Sequence, residues 1–478
     1  MENENKKSSS FTKNVLMVLS SNILSILTGI LVGFVIPLIM GVTDYGYYKT
    51  FTLYSSYIGI FHFGFIDGIY LYFAGKNYDE LNKQKFRTYS RFLMLMQLIV
   101  ALIVTSIAMV FIGNELSLVL LLVAINVLGT NITSYYEFVS QITMRFKMVS
   151  IRGILRSSFT IISVIILFIL YKFCNFKISY YIYSSITIII NYILTFWYVF
   201  TYRDITFGKS SGIKNEKNNI LLFFKLGIPL LISNLIGQLI FVVDQQFVSI
   251  FFDIDTYSNY AYAYTMINLI TVATSAISVV IYPTLHTLDE NKVKQRYSML
   301  NSMLLLFVSA CLCGYFVLAP IINTFLPKYN SSLDTFKIIL PGVIISSSIQ
   351  VIKYNCYKKF KMISKYLLLS LAAFIIAIIA DTIVYFTFRT TNSISIVSIF
   401  VLLLWYILVE ICFIKKYSCK WLKNFIFIIV ILISFYVTML ISNNWLSLLI
   451  YILLYLISVI FIYNKDLIVI KNFILKKD

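Results

Sequence analysis

The sequence predicts an all-α integral membrane protein of about 14 transmembrane helices, arranged as two pseudo-symmetric six-helix bundles followed by two extra helices. Of its 478 residues, 60% are hydrophobic and 12% are charged, and the mean hydropathy is +0.87. Soluble domains average about half apolar and about a quarter charged residues. Apolar segments of about 20 residues, enough to cross a bilayer, recur along the whole chain, and no connection between them could hold a soluble domain.

The apolar segments account for the chain almost from end to end. They span approximately 14–40, 46–73, 89–112, 117–143, 150–171, 178–201, 221–251, 257–284, 298–320, 335–357, 365–388, 393–414, 422–442 and 445–463. An even number of crossings places both termini on one side of the membrane. With the termini in the cytoplasm, the 39 basic residues fall on the inner side except for Lys49, Lys172, Lys177, Lys328, Lys337 and Arg389, which is the asymmetry expected of a membrane protein.

The formal net charge of +19 is therefore assigned to a basic band beside anionic lipid headgroups, and we expect no nucleic-acid partner. Nothing in the sequence indicates an enzyme, because it has two histidines, no glycine-rich phosphate loop and no nucleophile beside a base. The cysteines lack the spacing of metal ligands, so we expect no metal site and no cofactor. A membrane polymerase or ligase would be expected to have a larger outer loop.

The chain divides at the loop from Arg203 to Asn219, whose composition is typical of a flexible linker. A shift that aligns Ser21-Asn22 with Ser233-Asn234 also aligns Tyr45 with Tyr257, without a gap. The halves are therefore expected to be parallel repeats related by an axis along the membrane normal. The predicted domains are an N-terminal bundle (1–202), a cytoplasmic linker (203–220), a C-terminal bundle (221–414) and two extra helices with a cytoplasmic tail (415–478).

The second apolar segment carries two ionisable side chains, His62 and Asp67, at membrane depth, where such groups are costly and often functional. Five residues of a continuous helix correspond to about 140°, so we expect the two side chains to face different directions. Two interpretations of Asp67 remain open: a structural hydrogen bond where the helix breaks at Gly64 and Gly68, or a functional role. His62 is interpreted as a neutral side chain bonded across a helix interface.

The seventh segment is the most polar one. Asn234, Gln238 and Gln245 share one helical stripe, and this pattern indicates a wall of a hydrated cavity. The first segment presents its polar residues in a comparable manner. Together these segments predict a substrate cavity lined by Asn22, Ser25, Asp67, Asn234, Gln238, Asp244 and Gln245, with Asp67 on the wall opposite Asn234, Gln238 and Asp244.

Two further acidic residues are interpreted as structural. Glu410 lies close to the basic residues Lys415 and Lys416 and is expected to be a boundary charge. Asp381 lies two turns from Arg389, and we expect these two to form an interfacial pair.

Glycine, aspartate and tyrosine motifs follow one another in a specific order along the chain. In IMGVTDYGYYKTFTLYSSYIGIFHFGFIDGIYLYFAGK they are Gly41, Asp44, Tyr45, Gly46 and Tyr48, then Gly64, Phe65, Asp67, Gly68, Tyr70, Leu71 and Gly75. The second half adds GIPLLISN at 227–234, Asp244, Tyr257, Tyr260, Tyr282-Pro283 and LPKYNSSLDTFKIILPGV. This series resembles, to about residue 415, the polysaccharide (O-antigen type) flippases of the multidrug/oligosaccharidyl-lipid/polysaccharide exporter superfamily.

The resemblance implies a V-shaped pair of bundles that carries an undecaprenyl-diphosphate-linked oligosaccharide repeat unit from the inner to the outer leaflet by alternating access. Cations must bind the diphosphate, and the candidates at the inner mouth are Arg87, Arg91, Arg152, Arg156 and Lys225, whereas Lys49 is assigned to the outer side. Asp67 and Asp244 are the candidates for coupling to an H⁺ or Na⁺ gradient. The first segment has no arginine, which argues against the peptidoglycan-precursor branch of the family.

The expected location is the bacterial cell membrane, with many crossings and both termini in the cytoplasm. The expected partners are the lipid-linked oligosaccharide, the bilayer and the polymerase or glycosyltransferase machinery of surface polysaccharide synthesis, such as O-antigen or capsule. The alternative function is a drug/cation antiporter of the same superfamily. It is disfavoured by the two extra helices and by the absence of an acidic residue deep in the first segment.

Overall fold

The computed structural model describes residues 2–287, 289–417 and 421–474. Within these ranges, the side chains of residues 2–16, 18–19, 234, 272–273, 275–287, 295, 416 and 465–474 lie outside the description. The described residues fold into α-helices joined by short connections, and they contain no β-strand. The predicted all-α class is confirmed.

The helices follow one another along the whole chain. They are α1 (Glu2–Ile39), α2 (Val42–Ser56), α3 (Phe65–Phe73), α4 (Lys83–Val110), α5 (Glu115–Ile142), α6 (Phe146–Cys174), α7 (Tyr180–Thr201), α8 (Arg203–Thr206), α9 (Lys217–Leu239), α10 (Val243–Phe251), α11 (Ile254–Thr287), α12 (Glu290–Cys311), α13 (Gly314–Phe325), α14 (Ser332–Ile339), α15 (Gly342–Ser347), α16 (Tyr354–Lys359), α17 (Ile363–Phe388), α18 (Thr391–Tyr417), α19 (Leu422–Thr438) and α20 (Asn444–Ile474).

Each apolar segment of the sequence falls on one or more of these helices. In the described part of the chain, 10 helices are long and apolar enough to cross a membrane, or 11 if the bent pair Ser332–Ile339 and Gly342–Lys359 counts as one span. The pair is bent by 46°. Leu422–Thr438 is apolar but shorter. The count of 14 crossings stays a prediction.

The second apolar segment is broken into three pieces, which explains why it does not count as a long helix. After α2, a 3-10 helix covers Ile58–His62, and α3 begins at Phe65. The two residues between them, Phe63 (φ 49°) and Gly64 (φ 79°), have left-handed backbone conformations. This conformation is strained for phenylalanine and easy for glycine, so the break is fixed by the glycine and by what packs against it.

Glycines let α3 and α9 approach until their backbones touch. A Cβ atom added at Gly64 would lie 2.5 Å from the carbonyl carbon of Gly227, and one added at Gly68 would overlap the Phe223 carbonyl oxygen. Around this crossing, Phe65 of α3 packs against Phe223 of α9 with ring centroids 6.0 Å apart. The contact lies within an aromatic core of α3, α4, α5, α7 and α9, and the break in the second segment belongs to it.

The seventh segment is also broken. Helix α9 ends at Leu239, a turn covers residues 240–242, and α10 begins at Val243. The amide of Phe241 donates to the Gln238 carbonyl at 3.0 Å, an i to i+3 bond that tightens the end of α9. The predicted stripe from Gln238 to Gln245 therefore does not run along one continuous helix.

Contacts between helices divide the chain into two compact units, Met1–Leu235 and Ile236–Asp478. In the first unit, α1 packs along α6, α4 along α5, and α5 along α7. In the second unit, α17 packs along α18 and α19 along α20. The first nineteen residues of α9 thus belong with the N-terminal helices, beyond the predicted boundary at residue 220.

The loop that was expected to be a flexible linker is held along α4. The Asp204 carboxylate accepts hydrogen bonds from Lys83 (2.7 Å) and from the Tyr78 hydroxyl (2.5 Å), and the Glu216 carboxylate accepts one from Tyr89 (2.9 Å). Between these two anchors, arginines of α4 donate to loop carbonyls. Those bonds join Arg87 to Asp204 and Lys209, and Arg91 to Gly208. Polar composition alone does not distinguish a mobile loop from one held by side chains.

Both anchoring carboxylates are stabilised in the charged form. Burial alone would raise the pKa of Asp204, but hydrogen bonds from Lys83 and Tyr78 outweigh it and hold that pKa below its usual value. Burial opposes the charged form of Glu216 as well, yet bonds from Asn219 and Tyr89 lower its pKa. A lowered folded-state pKa contributes stability that is present at neutral pH and is lost as the pH falls through that pKa. Acidification should therefore loosen the loop.

We expect Gly227→Ala to destabilise the protein, because its methyl group would overlap the Gly64 carbonyl oxygen. Overpacking of this kind costs about 1–3 kcal/mol, and it would appear as a lower Tm of the detergent-solubilised protein. Gly237→Ala, on the same helix with nothing within 4 Å of an added Cβ, is the control and should be neutral or slightly stabilising. Equal Tm values for the two variants would refute the close crossing.

Asp204→Asn should free the start of the loop, because the amide cannot replace the carboxylate in its bonds to Lys83 and Tyr78. We expect trypsin to cut after Lys209 severalfold faster in the variant at neutral pH, and wild-type protein to show the same loosening in acid. Asp79→Asn alters an exposed carboxylate next to Tyr78 in the sequence and should leave the cleavage rate unchanged. Slow cleavage in both variants would mean that the carboxylate does not hold the loop.

Candidate functional site

The break in the second segment brings together the two ionisable groups that a continuous helix would separate. The Nδ1 atom of His62 lies 3.6 Å from Oδ2 of Asp67, and both side chains are buried. The expectation that they face different directions was wrong, because the left-handed residues Phe63 and Gly64 turn the chain between them. The Gly64 amide donates to His62 Nδ1 at 3.2 Å. That nitrogen therefore carries a lone pair.

One oxygen of Asp67 is left without a partner. Its Oδ2 atom is buried and accepts no hydrogen bond, and a buried carboxylate oxygen without a partner is costly. The backbone around the break is better satisfied: the Gln97 amide donates to the Phe61 carbonyl at 3.0 Å, and Asn131 donates to the Ile58 carbonyl at 3.1 Å. The helices α4 and α5 thus supply the hydrogen bonds that the broken helix cannot make internally.

A cationic cluster, which we define as Lys49, Arg152 and Arg156, lies inside the first unit. Arg152 donates to Glu137 at 2.6 Å, and the guanidinium of Arg156 interacts electrostatically with both of these and with Tyr48. The Lys49 ammonium lies 5.7 Å from the centroid of the same Tyr48 ring. The side chain of Arg156 is exposed, and those of Lys49 and Arg152 are half-buried.

Lys49 was assigned to the outer side, and that assignment stays a prediction; in the structure, the Lys49 ammonium and the Arg156 guanidinium each lie near Tyr48. At 1.5 Å per residue, Arg156 lies about 15 Å along α6 from Phe146, and Lys49 about 10 Å along α2 from Val42. Each residue therefore lies about two to three turns inside its helix, counted from the N-terminal end.

The other predicted cations have different surroundings. Arg87 and Arg91 donate to carbonyls of the loop along α4, and Lys225 is exposed on α9. Among the predicted cavity residues, Asn22 is half-buried and Ser25 exposed on α1, which packs along α6. Gln238 is exposed near the end of α9, Gln245 is half-buried on α10, and the side chain of Asn234 lies outside the described residues.

Asp244 is buried in the second unit, at the start of α10, among hydrogen-bond donors. Its carboxylate accepts bonds from the Tyr260 hydroxyl (2.9 Å), the Ser398 hydroxyl (2.9 Å) and the Gln245 amide (2.7 Å), and also from Tyr264. The helices α10, α11 and α18 are tied together through this one side chain.

Asp381 is also buried in the second unit and interacts electrostatically with Asp244, not with Arg389. Arg389 is exposed beyond the end of α17, so the expected interfacial pair is wrong. Helix α17 packs against α10, which turns Asp381 inward. No group of three or more histidine, cysteine, aspartate or glutamate side chains suited to a metal ion occurs within the described ranges.

The sequence analysis missed a buried ion pair. Lys353 Nζ lies 2.8 Å from Glu410 Oε2, and the two side chains are 1% and 0% exposed. The Tyr297 hydroxyl donates to the same carboxylate at 2.9 Å, and the Lys353 ammonium lies 3.6 Å from the centroid of the Tyr406 ring. Glu410 is therefore not a boundary charge.

A π-helix positions Lys353. Ser348–Lys353 form this wider turn between α15 and α16, and π-helical turns are frequent at functional sites. The Lys353 ammonium donates to the Ser348 hydroxyl at 2.9 Å, and that hydroxyl donates to Asn301 at 2.6 Å. The sequence does not distinguish a lysine that anchors the end of a span at the membrane surface from a lysine that forms a buried ion pair.

Comparisons with known proteins agree with this architecture. Residues 11–289 match the family model described as polysaccharide biosynthesis protein. A solved structure described as the lipid II flippase MurJ in an inward closed conformation aligns with a TM-score of 0.72 and 16% identity, covering 96% of this chain and 100% of that one. An inward-facing multidrug resistance MATE family transporter of the MOP superfamily aligns with a TM-score of 0.60 and 12% identity, covering 84% and 99%.

A comparison with curated proteins returned no match. At the identities found, the solved structures show the fold alone. That fold is the one that the ordered motifs predicted, and it makes the chain a multi-pass membrane protein.

Glu410→Gln should strongly destabilise the protein, because it leaves the Lys353 ammonium buried without a counter-charge. The cost of such a change is about 3–5 kcal/mol, and thermal unfolding in detergent would measure it. The double variant Lys353→Met with Glu410→Leu should regain most of the lost stability. Asp334→Asn, which removes the partner of Lys337 in an exposed pair, should cost about 0–1 kcal/mol. If Glu410→Gln cost no more than Asp334→Asn, the pair would have no structural importance.

Proposed function

The chain belongs to the polysaccharide biosynthesis protein family, and on that premise we propose that it is a flippase. Its substrate is an undecaprenyl-diphosphate-linked oligosaccharide repeat unit, which it moves from the inner to the outer leaflet of the bacterial cell membrane. The product of this step supplies surface polysaccharide synthesis. Both termini lie in the cytoplasm, and the protein moves its substrate without making or breaking a covalent bond.

The cationic cluster is the observation that carries this proposal. A diphosphate must leave water to cross the membrane, and it needs positive charges along the way. Lys49 and Arg156 present two such charges beside Tyr48, inside the first unit, and Arg156 is exposed to a ligand. Arg152 adds a third, partly neutralised by Glu137. Guanidinium and ammonium groups both bind phosphate oxygens.

The apolar tail and the sugar need different surroundings. The tail stays in the bilayer, because its transfer out of lipid would be costly. The sugar needs hydroxyl and amide groups, and the half-buried Asn22 and exposed Ser25 of α1 are positioned on a helix that packs along α6. We retain Gln238 and Gln245 as further sugar-binding candidates.

Coupling to an H⁺ or Na⁺ gradient would use a buried carboxylate, and the candidates are Asp67 and Asp244. Asp244 already accepts hydrogen bonds from four groups, so a cation would have to displace donors. Asp67 has an oxygen that accepts none. An ion can shift a transport equilibrium only if it binds one state more tightly. The unpartnered oxygen of Asp67 can bind an ion without first losing a hydrogen bond, so we favour Asp67 as the coupling site.

The drug/cation antiporter remains the competing function, since a MATE transporter shares the fold. The match to the polysaccharide family model over residues 11–289 favours the flippase. The polymerase and glycosyltransferase machinery of the same polysaccharide would be the partners that act before and after this step.

Deleting the gene should deplete surface glycan and make a lipid-linked oligosaccharide accumulate on the inner leaflet, as measured by extraction and mass spectrometry. Complementation with Arg156→Gln or Lys49→Gln should restore surface glycan to about a tenth of wild type or less, because loss of a charge-assisted bond costs about 1.5–3 kcal/mol. Immunoblotting would establish equal protein levels.

The matched control is Lys172→Gln, in the last turn of the same helix as Arg156 and exposed. It should restore surface glycan fully. Normal surface glycan in the deletion strain, together with new drug sensitivity, would overturn the flippase in favour of the antiporter. Full complementation by both Arg156→Gln and Lys49→Gln would remove the cluster from the mechanism.

A further inference from the structure

We propose that His62 and Asp67 together bind one proton, and that the Gly64 amide senses whether the proton is present. This inference gives a chemical identity to the coupling ion, and to that extent it rests on the proposed function. His62, for which the sequence indicates only a structural role, then becomes half of the binding site.

The open oxygen of Asp67 is the reason to expect a ligand. The side chains of His62 and Asp67 are 7% and 5% exposed, and Asp67 Oδ2 accepts no hydrogen bond. Its nearest polar neighbour on the histidine is Nδ1, at 3.6 Å. A carboxylate oxygen and a ring nitrogen with a lone pair thus face each other, and a proton bound by either one would draw the two atoms together into a hydrogen bond.

The chemistry of the surroundings favours a proton over a metal cation. Metal cations such as Ca²⁺ are bound by several oxygen atoms, whereas Asp67 Oδ2 faces a nitrogen of the His62 imidazole ring. In the described part of the chain, no group of three or more histidine, cysteine, aspartate or glutamate side chains suited to a metal ion occurs. A proton needs only one acceptor and gains a second from the ring nitrogen.

Proton uptake would change one hydrogen bond of the backbone. In the proton-free state, His62 Nδ1 accepts from the Gly64 amide. A proton on Asp67 Oδ2 would be donated to Nδ1, and a proton on Nδ1 would be donated to the carboxylate. In both arrangements the pair gains one positive charge and Nδ1 stops accepting from Gly64. The proton belongs to the pair, and its two positions need not be distinguished.

Charged groups on the neighbouring elements do not compete for these atoms. Among the described residues, the pair of His62 with Asp67 is the one ion pair that involves either side chain. Titratable groups on the helices around the break are engaged or exposed: Tyr89 of α4 donates to Glu216, Glu137 of α5 accepts from Arg152, and Lys225 of α9 is exposed. Gln97 and Asn131, from α4 and α5, contribute amides that do not titrate.

The Gly64 amide lies at the contact with α9, which is how the proton would act on the rest of the unit. A Cβ at Gly64 would touch the backbone of Gly227 and Ile228. The break and α9 are therefore already in contact, with no space between them. A change in the hydrogen bonding of Gly64 must alter its left-handed conformation or move α9. A proton would thereby be linked to the position of a membrane-crossing helix.

Nitrogen-15 NMR of the intact protein in nanodiscs can observe the site directly, because the chain has only two histidines. A His286→Asn background leaves His62 as the single labelled histidine. We expect its ring nitrogens to shift in one step as the pH is lowered from about 8 to about 4. In Asp67→Asn, which cannot share the proton, the step should disappear or move by about one pH unit or more.

Asp79→Asn, an exposed carboxylate, is the matched control and should leave the step unchanged. Unaltered Tm values would show that each variant is folded. A His62 signal that is constant with pH would overturn the proposal, as would an identical step in the Asp67→Asn protein.

The titration and the transport function can fail separately. If His62 titrates but deletion of the gene leaves surface glycan unchanged, the proton site is supported and the flippase function is refuted. If the deletion strain loses surface glycan but His62 does not titrate, the flippase function is supported and the proton site is refuted.

Discussion

The contact between the backbones of α3 and α9 is the constraint on which the site at His62 and Asp67 depends. Gly64, Gly68 and Gly227 permit it, and a methyl group at any of them would overlap the opposite backbone. The second segment does not continue as one helix from α2 into α3, and its break at Phe63 and Gly64 lies at this contact. The left-handed residues, the 3-10 turn and the pairing of His62 with Asp67 all follow from that break.

Buried charge is accommodated in three ways, and the differences suggest a division of roles. Lys353 and Glu410 neutralise each other within a closed network, and Asp244 is surrounded by donors. Both arrangements offset the cost of desolvation. Asp67 alone among these carboxylates keeps an oxygen without a partner. We therefore regard the second unit's buried charges as fixing helix positions, and Asp67 as the group left free to change its state.

The helices could be predicted from the sequence, whereas the breaks could not. Length and apolarity are local properties, so each predicted segment falls on a helix. The break at Phe63 depends on Gly227, far away in the sequence, and helical geometry alone therefore separated His62 from Asp67. The same limit applies to Glu410, whose partner Lys353 lies in the π-helix between α15 and α16, away from α18 in the sequence. Side-chain pairs between different helices produce no periodic pattern in a single sequence, so they could not be predicted from it.

The response of transport to a pH gradient tests the central claim most directly. Purified protein in proteoliposomes would be given a fluorescent polyprenyl-diphosphate oligosaccharide, and its movement between leaflets would be followed by quenching at imposed pH differences of either sign. The account predicts movement whose rate depends on the direction of the gradient, and no such dependence in the Asp67→Asn protein. If the rate of movement in wild-type protein does not depend on the pH gradient, the account is contradicted.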